Sequence, residues 1–246
     1  MRELYLSRAT LKRNPAIEAL GDVLLPSDPS RRLHTDHRLV WSLFAGNPDA
    51  ERDFLFRRED RGAPATRARF LILSHRRPNK DQPLFDVETK PFVPALARGD
   101  RLGFSLLANP AVTRNHTDEN GKKTKRRHDV VMDALSSIPK EQRAAKRPEA
   151  IAAAGRAWLE RQAEACGFSI ENAEALNIDG YDQFEIDRRA GADRGRPGKK
   201  DAISVSVLAF DGFLHVQDPE VFLGALAKGF GRARAFGCGL MLIRRA

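Results

Sequence analysis

The sequence of 246 residues is long enough to bury one large core or two small ones. Its net charge of +9 at pH 7 favours a protein that binds a polyanion, such as a nucleic acid; the alternative is a soluble protein that is merely basic. No apolar stretch approaches the roughly 20 residues that cross a bilayer, and the N-terminus lacks the pattern of a secretory signal, so we expect a cytoplasmic protein that contacts no membrane. The two cysteines, Cys166 and Cys238, lack the CxxC spacing of a metal or redox site, so we expect reduced thiols.

The first part of the chain predicts a small α+β domain. β-forming residues alternate over 3–11, and apolar stretches at 53–57 and 68–74 predict two further strands. Another strand is predicted over 100–108, and the segment before it has room for one short helix. Together with a helix after the first strand, these elements give the β-α-β-β-α-β order of a ferredoxin-like domain, which we place at residues 1–112.

The helix predicted after the first strand has a histidine within its apolar stripe. The residues that share this helical face are Leu33, His37, Val40, Trp41 and Phe44. Thr35 or Asp36 could cap the helix, which would put His37 in the first turn, where the helix dipole favours a neutral imidazole. A histidine in such a stripe is on its own more often a core residue than a catalytic one, so both interpretations stay open.

Residues 113–246 predict a second α+β domain of similar size. A helix is predicted over 151–166, and two strands are predicted near 173–186 and 203–216. The polar segment 113–127 predicts a loop or a hairpin tip, and 188–200 predicts a mobile basic loop. We expect cations of these two segments to hold a nucleic-acid backbone, namely Lys122, Lys123, Lys125, Arg126, Arg127, Arg194, Arg196, Lys199 and Lys200.

The C-terminal part of the chain places a loop rich in glycine and arginine between a helix and a strand. Pro219 behind Asp218 predicts the start of the helix, Gly229 its end, and 240–243 a short buried strand. The loop fits neither the dinucleotide fingerprint, which lies between a strand and the following helix, nor the P-loop, which needs Gly-Lys before Ser or Thr. We assign backbone binding to Lys228, Gly229, Gly231, Arg232, Arg234 and Gly237. The alternative is that the glycines only allow a tight turn packed on a neighbouring sheet.

Several short motifs occur in an order and spacing that resemble a known family. They are Leu4 to Arg8, His37 to Phe44, Asn47 to Phe56, Leu107 to Pro110, Lys125 to Arg127, Phe210 to Gly212 and Gly229 to Leu242. Together they resemble the CRISPR-associated repeat-RNA endoribonucleases of the subtype I-E Cascade system, the CasE family. The resemblance implies two tandem ferredoxin-like domains, cleavage of the repeat stem-loop in precursor CRISPR RNA, and retention of the mature crRNA in a complex with other Cascade subunits.

The resemblance assigns the catalytic histidine to His37. Relatives often carry a tyrosine three residues earlier, where this sequence has His34, so His34 is a second catalytic candidate. RNA can be cut without a metal when its own 2′-hydroxyl attacks the phosphorus and leaves a 2′,3′-cyclic phosphate and a 5′-hydroxyl. A histidine, with a pKa of about 6.5, suits the proton transfer. Because the sequence lacks a clustered carboxylate–histidine motif, we expect neither a metal site nor another cofactor.

Two other functions are compatible with the same features. A non-catalytic RNA-binding protein would also use antiparallel sheets and basic loops, although neither half has the aromatic-rich strand of an RRM. A structural subunit of a ribonucleoprotein is a further alternative, and that role does not exclude catalysis.

Overall fold

The structure is a computed structural model that describes residues 3–46, 51–59, 68–117, 121, 123–172, 175–187 and 202–246. Five of the predicted binding residues lie outside this part of the chain, namely Lys122, Arg194, Arg196, Lys199 and Lys200. None of the described helices is long and apolar enough to cross a membrane.

The strands form two antiparallel sheets and one separate hairpin. In chain order the strands are β1 (Tyr5–Leu11), β2 (Phe54–Arg58), β3 (Arg69–Ser74), β4 (Phe85–Pro91), β5 (Arg101–Ala108), β6 (Ala111–Thr117), β7 (Lys123–Asp129), β8 (Phe168–Ile170), β9 (Asn177–Asp187), β10 (Ala202–Val216) and β11 (Met241–Arg245). The helices are α1 (Pro15–Ala19), α2 (Gly21–Leu24), α3 (Pro29–Ser42), α4 (Val130–Ser136), α5 (Arg143–Ala165) and α6 (Pro219–Lys228), and 3₁₀ helices cover Lys140–Gln142 and Arg234–Phe236. The predicted α+β class is therefore confirmed.

The first sheet has the strand order β2-β3-β1-β4 and buries one face under α3. Alternation along β1 puts Ala9 on this face, and the neighbouring strands add Phe56, Phe70 and Phe85, all of them fully buried. Leu43, at the end of α3, packs against the same cluster. Burial of each such large side chain contributes about 1.5–3 kcal/mol, so the sheet holds α3 firmly in place.

Helix α3 begins about two turns earlier than the predicted caps imply. Pro29 occupies the first turn, and the side chain of Asp28 caps the helix by accepting a backbone N–H at 2.7 Å. The prediction that Thr35 or Asp36 caps it is wrong, because the apolar periodicity marks the buried face and not the start. His37 consequently lies in the third turn, beyond the reach of the dipole at the N-terminus.

Strand β5 belongs to the second sheet, so the prediction that it completes the first β-α-β-β-α-β unit is wrong. It pairs with β10 on one side and β11 on the other, because Leu102, Phe104 and Leu106 pack into the core under α5 and α6. The short helix predicted before it is also wrong, since the fully described stretch between β3 and β5 contains β4 and no helix. The chain passes from the first sheet to the second between Pro91 and Arg101.

The second sheet has the strand order β11-β5-β10-β8, and β9 also pairs with β10. Apart from the β6–β7 hairpin, α4, β9 and the 3₁₀ helices, its elements follow in the order β5-α5-β8-β10-α6-β11, which is the β-α-β-β-α-β order that the sequence predicts for the first half. Trp158 and Leu159 of α5 pack with Phe210, Phe222 and Phe230 in its core. A smaller cluster of Leu4, Leu55, Leu73 and Leu240 joins the first sheet to the end of the chain.

Candidate active site

His37 is half-buried on α3 and accepts a hydrogen bond from the same helix. The indole Nε1 of Trp41, one turn further along, donates to Nε2 of His37 at 3.0 Å. A ring nitrogen that accepts a hydrogen bond carries a lone pair, which is what a general base needs. The geometry therefore presents His37 as a neutral imidazole.

The surroundings of His37 also favour the neutral ring. Burial lowers its pKa below the ordinary value of 6.5, and the positive charges of Arg52, His34 and Arg38 lower it further. The sequence also predicts a neutral imidazole, with the helix dipole as the cause. That cause is wrong, because His37 lies in the third turn.

His34 lies one turn before His37 and packs edge-on against Phe236, with 5.6 Å between the ring centroids. Its Nε2 is buried and has no hydrogen-bond partner among the described residues. A buried polar atom without a partner costs free energy, so such an atom marks a place where a ligand group would be stabilising. The structure thus brings both histidine candidates to one side of α3, next to the 3₁₀ helix that contains Arg234.

Arg52 is a residue of this site that no pattern in the sequence singles out. Burial lowers its pKa, the charge of Arg234 lowers it further, and burial also lowers the pKa of Arg234. In the part of the chain that the structure describes, neither guanidinium forms an ion pair. Two desolvated like charges beside a histidine make a site that favours an anion. Arg52 stands within the motif that resembles the CasE family, but only the fold puts it near Arg234.

The glycines of the C-terminal loop pack closely against the protein. Gly229 has a φ of +80°, and a Cβ there would lie 2.8 Å from the side chain of Leu55. At Gly231, with a φ of +70°, a Cβ would lie 2.9 Å from the carbonyl oxygen of Asn109, and at Gly237 it would lie 3.4 Å from Phe56. Packing together with a positive φ therefore accounts for Gly229 and Gly231, whereas at Gly237 the φ of +77° accounts for the glycine. Contact of these three glycines with RNA stays a prediction.

A groove of about 400 Å³ separates α5 from α6 and the loop that follows it. Its polar and basic lining includes Gln162, Lys228, Arg232 and Arg234. Lys228 and Arg232 are exposed, whereas Arg234 is partly buried toward Arg52. Three of the predicted binding cations thus line one concave surface, and one of them, Arg234, also belongs to the surroundings of His37.

The segment predicted as a loop or hairpin tip is a hairpin of β6 and β7. Its register runs from Ala111 opposite Asp129 to Thr117 opposite Lys123. All of the predicted binding cations that the structure describes here are exposed on β7, namely Lys123, Lys125, Arg126 and Arg127. Arg114 on β6 is instead held by Asp133 at 2.6 Å, so its charge is partly neutralised.

The base of the hairpin is anchored to the second sheet by Asp129. Its carboxylate accepts hydrogen bonds from the hydroxyls of Tyr181 and Ser206 and caps α4 at the backbone N–H of Met132. Burial and the bond to Asp129 raise the pKa of the Tyr181 phenol, which keeps it protonated as a donor. Because these bonds join β7 to β9 and β10, the hairpin projects from a fixed base.

Asn109 connects this base to the glycine-rich loop. Its side chain donates to the carbonyl oxygen of Ser206 at 2.6 Å, and its own carbonyl oxygen accepts from the backbone N–H of Arg232 at 3.3 Å. The hairpin and the basic groove therefore start from the same point of the second sheet.

Within the described residues, no group of three or more His, Cys, Asp or Glu side chains is arranged to hold a metal ion.

Relatives of this chain are found over its whole length. The model of the family described as CRISPR associated protein matches residues 4–245. The chain is 28% identical over 222 residues to the CRISPR system Cascade subunit CasE of Escherichia coli (strain K12), an alignment that covers 90% of this chain and 96% of that protein. It is 33% identical over 155 residues to the CRISPR-associated endoribonuclease Cse3 of Thermus thermophilus, which covers 63% of this chain and 60% of that protein.

A solved structure has a similar fold across both sheets. The structure of CRISPR endoribonuclease Cse3 bound to 19 nt RNA is similar to this chain with a TM-score of 0.62 and 26% sequence identity. The similarity covers 98% of this chain and 99% of that chain. It therefore includes α3, the β6–β7 hairpin and the glycine-rich loop, and is not restricted to one sheet.

Proposed function

Because this chain belongs to the CRISPR associated protein family, we propose that it is an endoribonuclease that binds the stem-loop of CRISPR repeat RNA and cleaves precursor CRISPR RNA. The proposal is supported by relatives that are named a Cascade subunit and an endoribonuclease, and by a similar structure that holds RNA. The observation that carries the proposal is the state of His37, whose imidazole is half-buried, neutral and surrounded by basic side chains.

In this mechanism His37 takes the proton of the 2′-hydroxyl upstream of the scissile phosphate. The freed oxygen attacks the phosphorus, the bond to the 5′-oxygen breaks, and the departing oxygen takes up one proton, which balances the proton that His37 removed. The products therefore carry a 2′,3′-cyclic phosphate and a 5′-hydroxyl. The RNA supplies its own nucleophile, so the reaction requires no metal ion. General-base catalysis of this kind contributes about 10²- to 10⁴-fold in rate.

Arg52 and Arg234 neutralise the phosphate while negative charge develops on it. Both side chains are partly desolvated, and charges in such surroundings interact more strongly with an anion than charges in water. His34 is the second proton-transfer candidate, because its buried Nε2 has no partner among the described residues and it occupies the position of the tyrosine found in relatives.

The repeat RNA is held through its phosphates by exposed cations around the site. The hairpin contributes Lys123, Lys125, Arg126 and Arg127, and the groove contributes Lys228 and Arg232. The same role is proposed for Lys122, Arg194, Arg196, Lys199 and Lys200, and close approach of the RNA for Gly229, Gly231 and Gly237. After cleavage the protein keeps the mature crRNA and acts in the cytoplasm as a subunit of a Cascade complex.

We further propose that both halves are variants of the ferredoxin-like fold, at residues 1–112 and 113–246 with β5 donated across this boundary. The second sheet supports this through its β-α-β-β-α-β order. The first sheet has the corresponding strand order and one of the two crossover helices, α3.

The decisive experiment incubates the purified protein with the repeat RNA of its own genome in excess chelator, followed by end-group analysis of the products. We expect a 2′,3′-cyclic phosphate and a 5′-hydroxyl, and an intact substrate when the nucleotide upstream of the cleavage site is 2′-deoxy. His37→Ala should bind the RNA nearly normally and cleave about 10²- to 10⁴-fold more slowly.

His215→Ala is the matched control, because His215 lies on β10, far along the second sheet from α3, beside Glu171 at 4.0 Å. It should cleave as the unaltered protein does. Full activity of His37→Ala would reject the role of the histidine. A protein that binds the repeat RNA tightly but never cuts it would be the non-catalytic RNA-binding protein. Loss of all activity in chelator would reject the metal-free mechanism.

A further inference from the structure

Trp41 and His37 share a hydrogen bond that defines which nitrogen of the imidazole carries the proton. The indole Nε1 lies 3.0 Å from Nε2 of His37, and the two rings meet edge to face at 71° with centroids 6.3 Å apart. An indole N–H can donate but can never accept. The Nε2 atom must therefore present its lone pair, and the single proton of the neutral ring resides on Nδ1.

An aromatic cluster holds Trp41 in this orientation. Its ring packs edge-on against Phe54 at 5.2 Å, and Phe54 in turn stacks on Phe44 at 4.8 Å with only 10° between the ring planes. Phe54 and Phe44 are both buried, with 3% and 5% exposure. Since Phe54 belongs to β2 and Trp41 to α3, the packing of helix on sheet fixes the direction of the indole N–H.

We propose that Trp41 is a positioning residue that holds His37 in its neutral, Nδ1-protonated form and covers the Nε2 lone pair until RNA binds. This inference rests on the proposed role of His37 as the base. In this tautomer Nε2 has the lone pair that can accept a proton, so the 2′-hydroxyl must take the place of the indole N–H. Once Nε2 is protonated, it and Trp41 are both donors and the original bond cannot re-form.

Other charged and titratable groups also lie around α3. They are His34, Asp36 and Arg38 on the helix, Arg52 and Arg58 at β2, Arg234 on the 3₁₀ helix and Asp182 on β9. Asp36 is neutralised by Arg58, and the nearest remaining charges are positive. Among the described residues, it is Trp41 that hydrogen-bonds Nε2 of His37.

The test compares the full-length protein with Trp41→Phe, which keeps an aromatic ring and removes the N–H. In the RNA-free protein, ¹⁵N NMR of the imidazole should show Nδ1–H and an unprotonated Nε2. In Trp41→Phe both tautomers should appear, and the titration midpoint of His37 should rise by about half a pH unit to one unit, because a bond that favours the neutral form is gone. The acid limb of the single-turnover cleavage rate should move to higher pH by the same amount.

Phe85→Leu is the matched control, since it removes an aromatic ring from the same core, where it packs on Phe70, and leaves Trp41 and its neighbour Phe54 unaltered. It should lower stability and leave the tautomer and the midpoint in place. A proton on Nε2 in the unaltered protein overturns the inference whether or not Trp41→Phe folds. An unchanged midpoint in a folded Trp41→Phe also overturns it. Wild-type cleavage by His37→Ala would instead reject the proposed function and leave the tautomer result standing.

Discussion

Asp36 and Arg58 form an ion pair that is buried between α3 and β2, with 2.7 Å between Oδ1 and Nη1 and side chains that are 6% and 7% exposed. Asp36 directly precedes His37 in the helix, so the pair ties the turn that carries the proposed base to the first sheet. Removal of one partner would leave the other charge buried without compensation, and such a charge is strongly destabilising.

We therefore expect Asp36→Ala to lower the free energy of unfolding by about 3–5 kcal/mol, measured by urea denaturation. Asp53→Ala is the control, because the Asp53–Arg76 pair is much more exposed, at 27% and 39%, and its loss should cost about 1 kcal/mol or less. The double replacement Asp36→Leu with Arg58→Met should recover most of the stability. A double variant as unstable as Asp36→Ala would show that the buried charge is not the cause.

The pH dependence of cleavage should report the titration of His37. Burial and the charges of Arg52, His34 and Arg38 lower its pKa, so the cleavage rate should rise through a midpoint below about pH 6.5 and then level off. In the unfolded chain His37 keeps its ordinary pKa, so as the pH falls it is protonated there at a higher pH than in the folded protein. Folding stability from this group is thus lost as the pH falls from about 6.5 through the folded pKa. Single-turnover rates and urea midpoints across this range check both effects, and a rate midpoint above 6.5 would contradict them.

Arg52→Gln should separate stability from catalysis. The free protein holds Arg52 and Arg234 close together without a carboxylate among the described residues, so removal of one charge should leave the free energy of unfolding unchanged or raise it. The cleavage rate should fall, since the phosphate loses a counter-charge, by about 10²-fold as for other removed transition-state contacts. Arg31→Gln, on the exposed face of α3, is the control. A variant that loses stability but cuts RNA normally would give Arg52 a structural role.

The hairpin cations should contribute to RNA affinity through phosphate contacts. Neutralisation of Lys125, Arg126 and Arg127 together should weaken binding and reduce the log-log salt slope by about two to three units, because each contact releases nearly one counterion. Neutralisation of Lys80, Lys90 and Arg98, which are exposed elsewhere, makes the same change in net charge and should have little effect. Equal salt slopes for the two triple variants would reject the hairpin as an RNA-binding element.

Local signals in the sequence predict α6 and its surroundings well. Asp218 caps the helix, Pro219 is its first residue and Gly229 ends it with a φ of 80°, because these effects depend only on neighbouring residues. The N-terminus of α3 is harder to predict, since the apolar stripe starts after the cap at Asp28. The location of the β7 cations on one exposed strand follows from a short-range hairpin, so the sequence indicates that basic surface as well.

Features that depend on contacts distant in sequence are not predictable in this way. The strand Arg101–Ala108 has the pattern of a buried strand in either half, and its partners β10 and β11 are far away in the chain. Arg52 becomes part of the site only because β2 meets the 3₁₀ helix that contains Arg234. The bond from Trp41 to His37 is compatible with their spacing of one turn, but its direction depends on Phe54 of the first sheet.

Gly231 and Gly224 provide a matched test of whether the glycine-rich loop needs its glycines for packing. Gly231 has a φ of +70°, and a Cβ there would lie 2.9 Å from the carbonyl oxygen of Asn109 and 3.1 Å from Trp158. Gly224 lies within α6, and a Cβ there would meet no atom within 4 Å. Alanine should therefore act in opposite directions at the two positions.

Gly231→Ala should destabilise the protein by about 1–3 kcal/mol, the usual cost of a non-glycine residue held in a strained conformation. Gly224→Ala should stabilise it by about 0.5–1 kcal/mol, because alanine loses less backbone entropy in a helix. Urea denaturation measures both, and stabilisation by Gly231→Ala would reject the packing role. RNA affinity of the folded Gly231→Ala protein then tests the second role. Because Gly231 lines the groove with Arg232 and Arg234, a displaced loop should weaken binding, whereas unchanged affinity would restrict this glycine to folding.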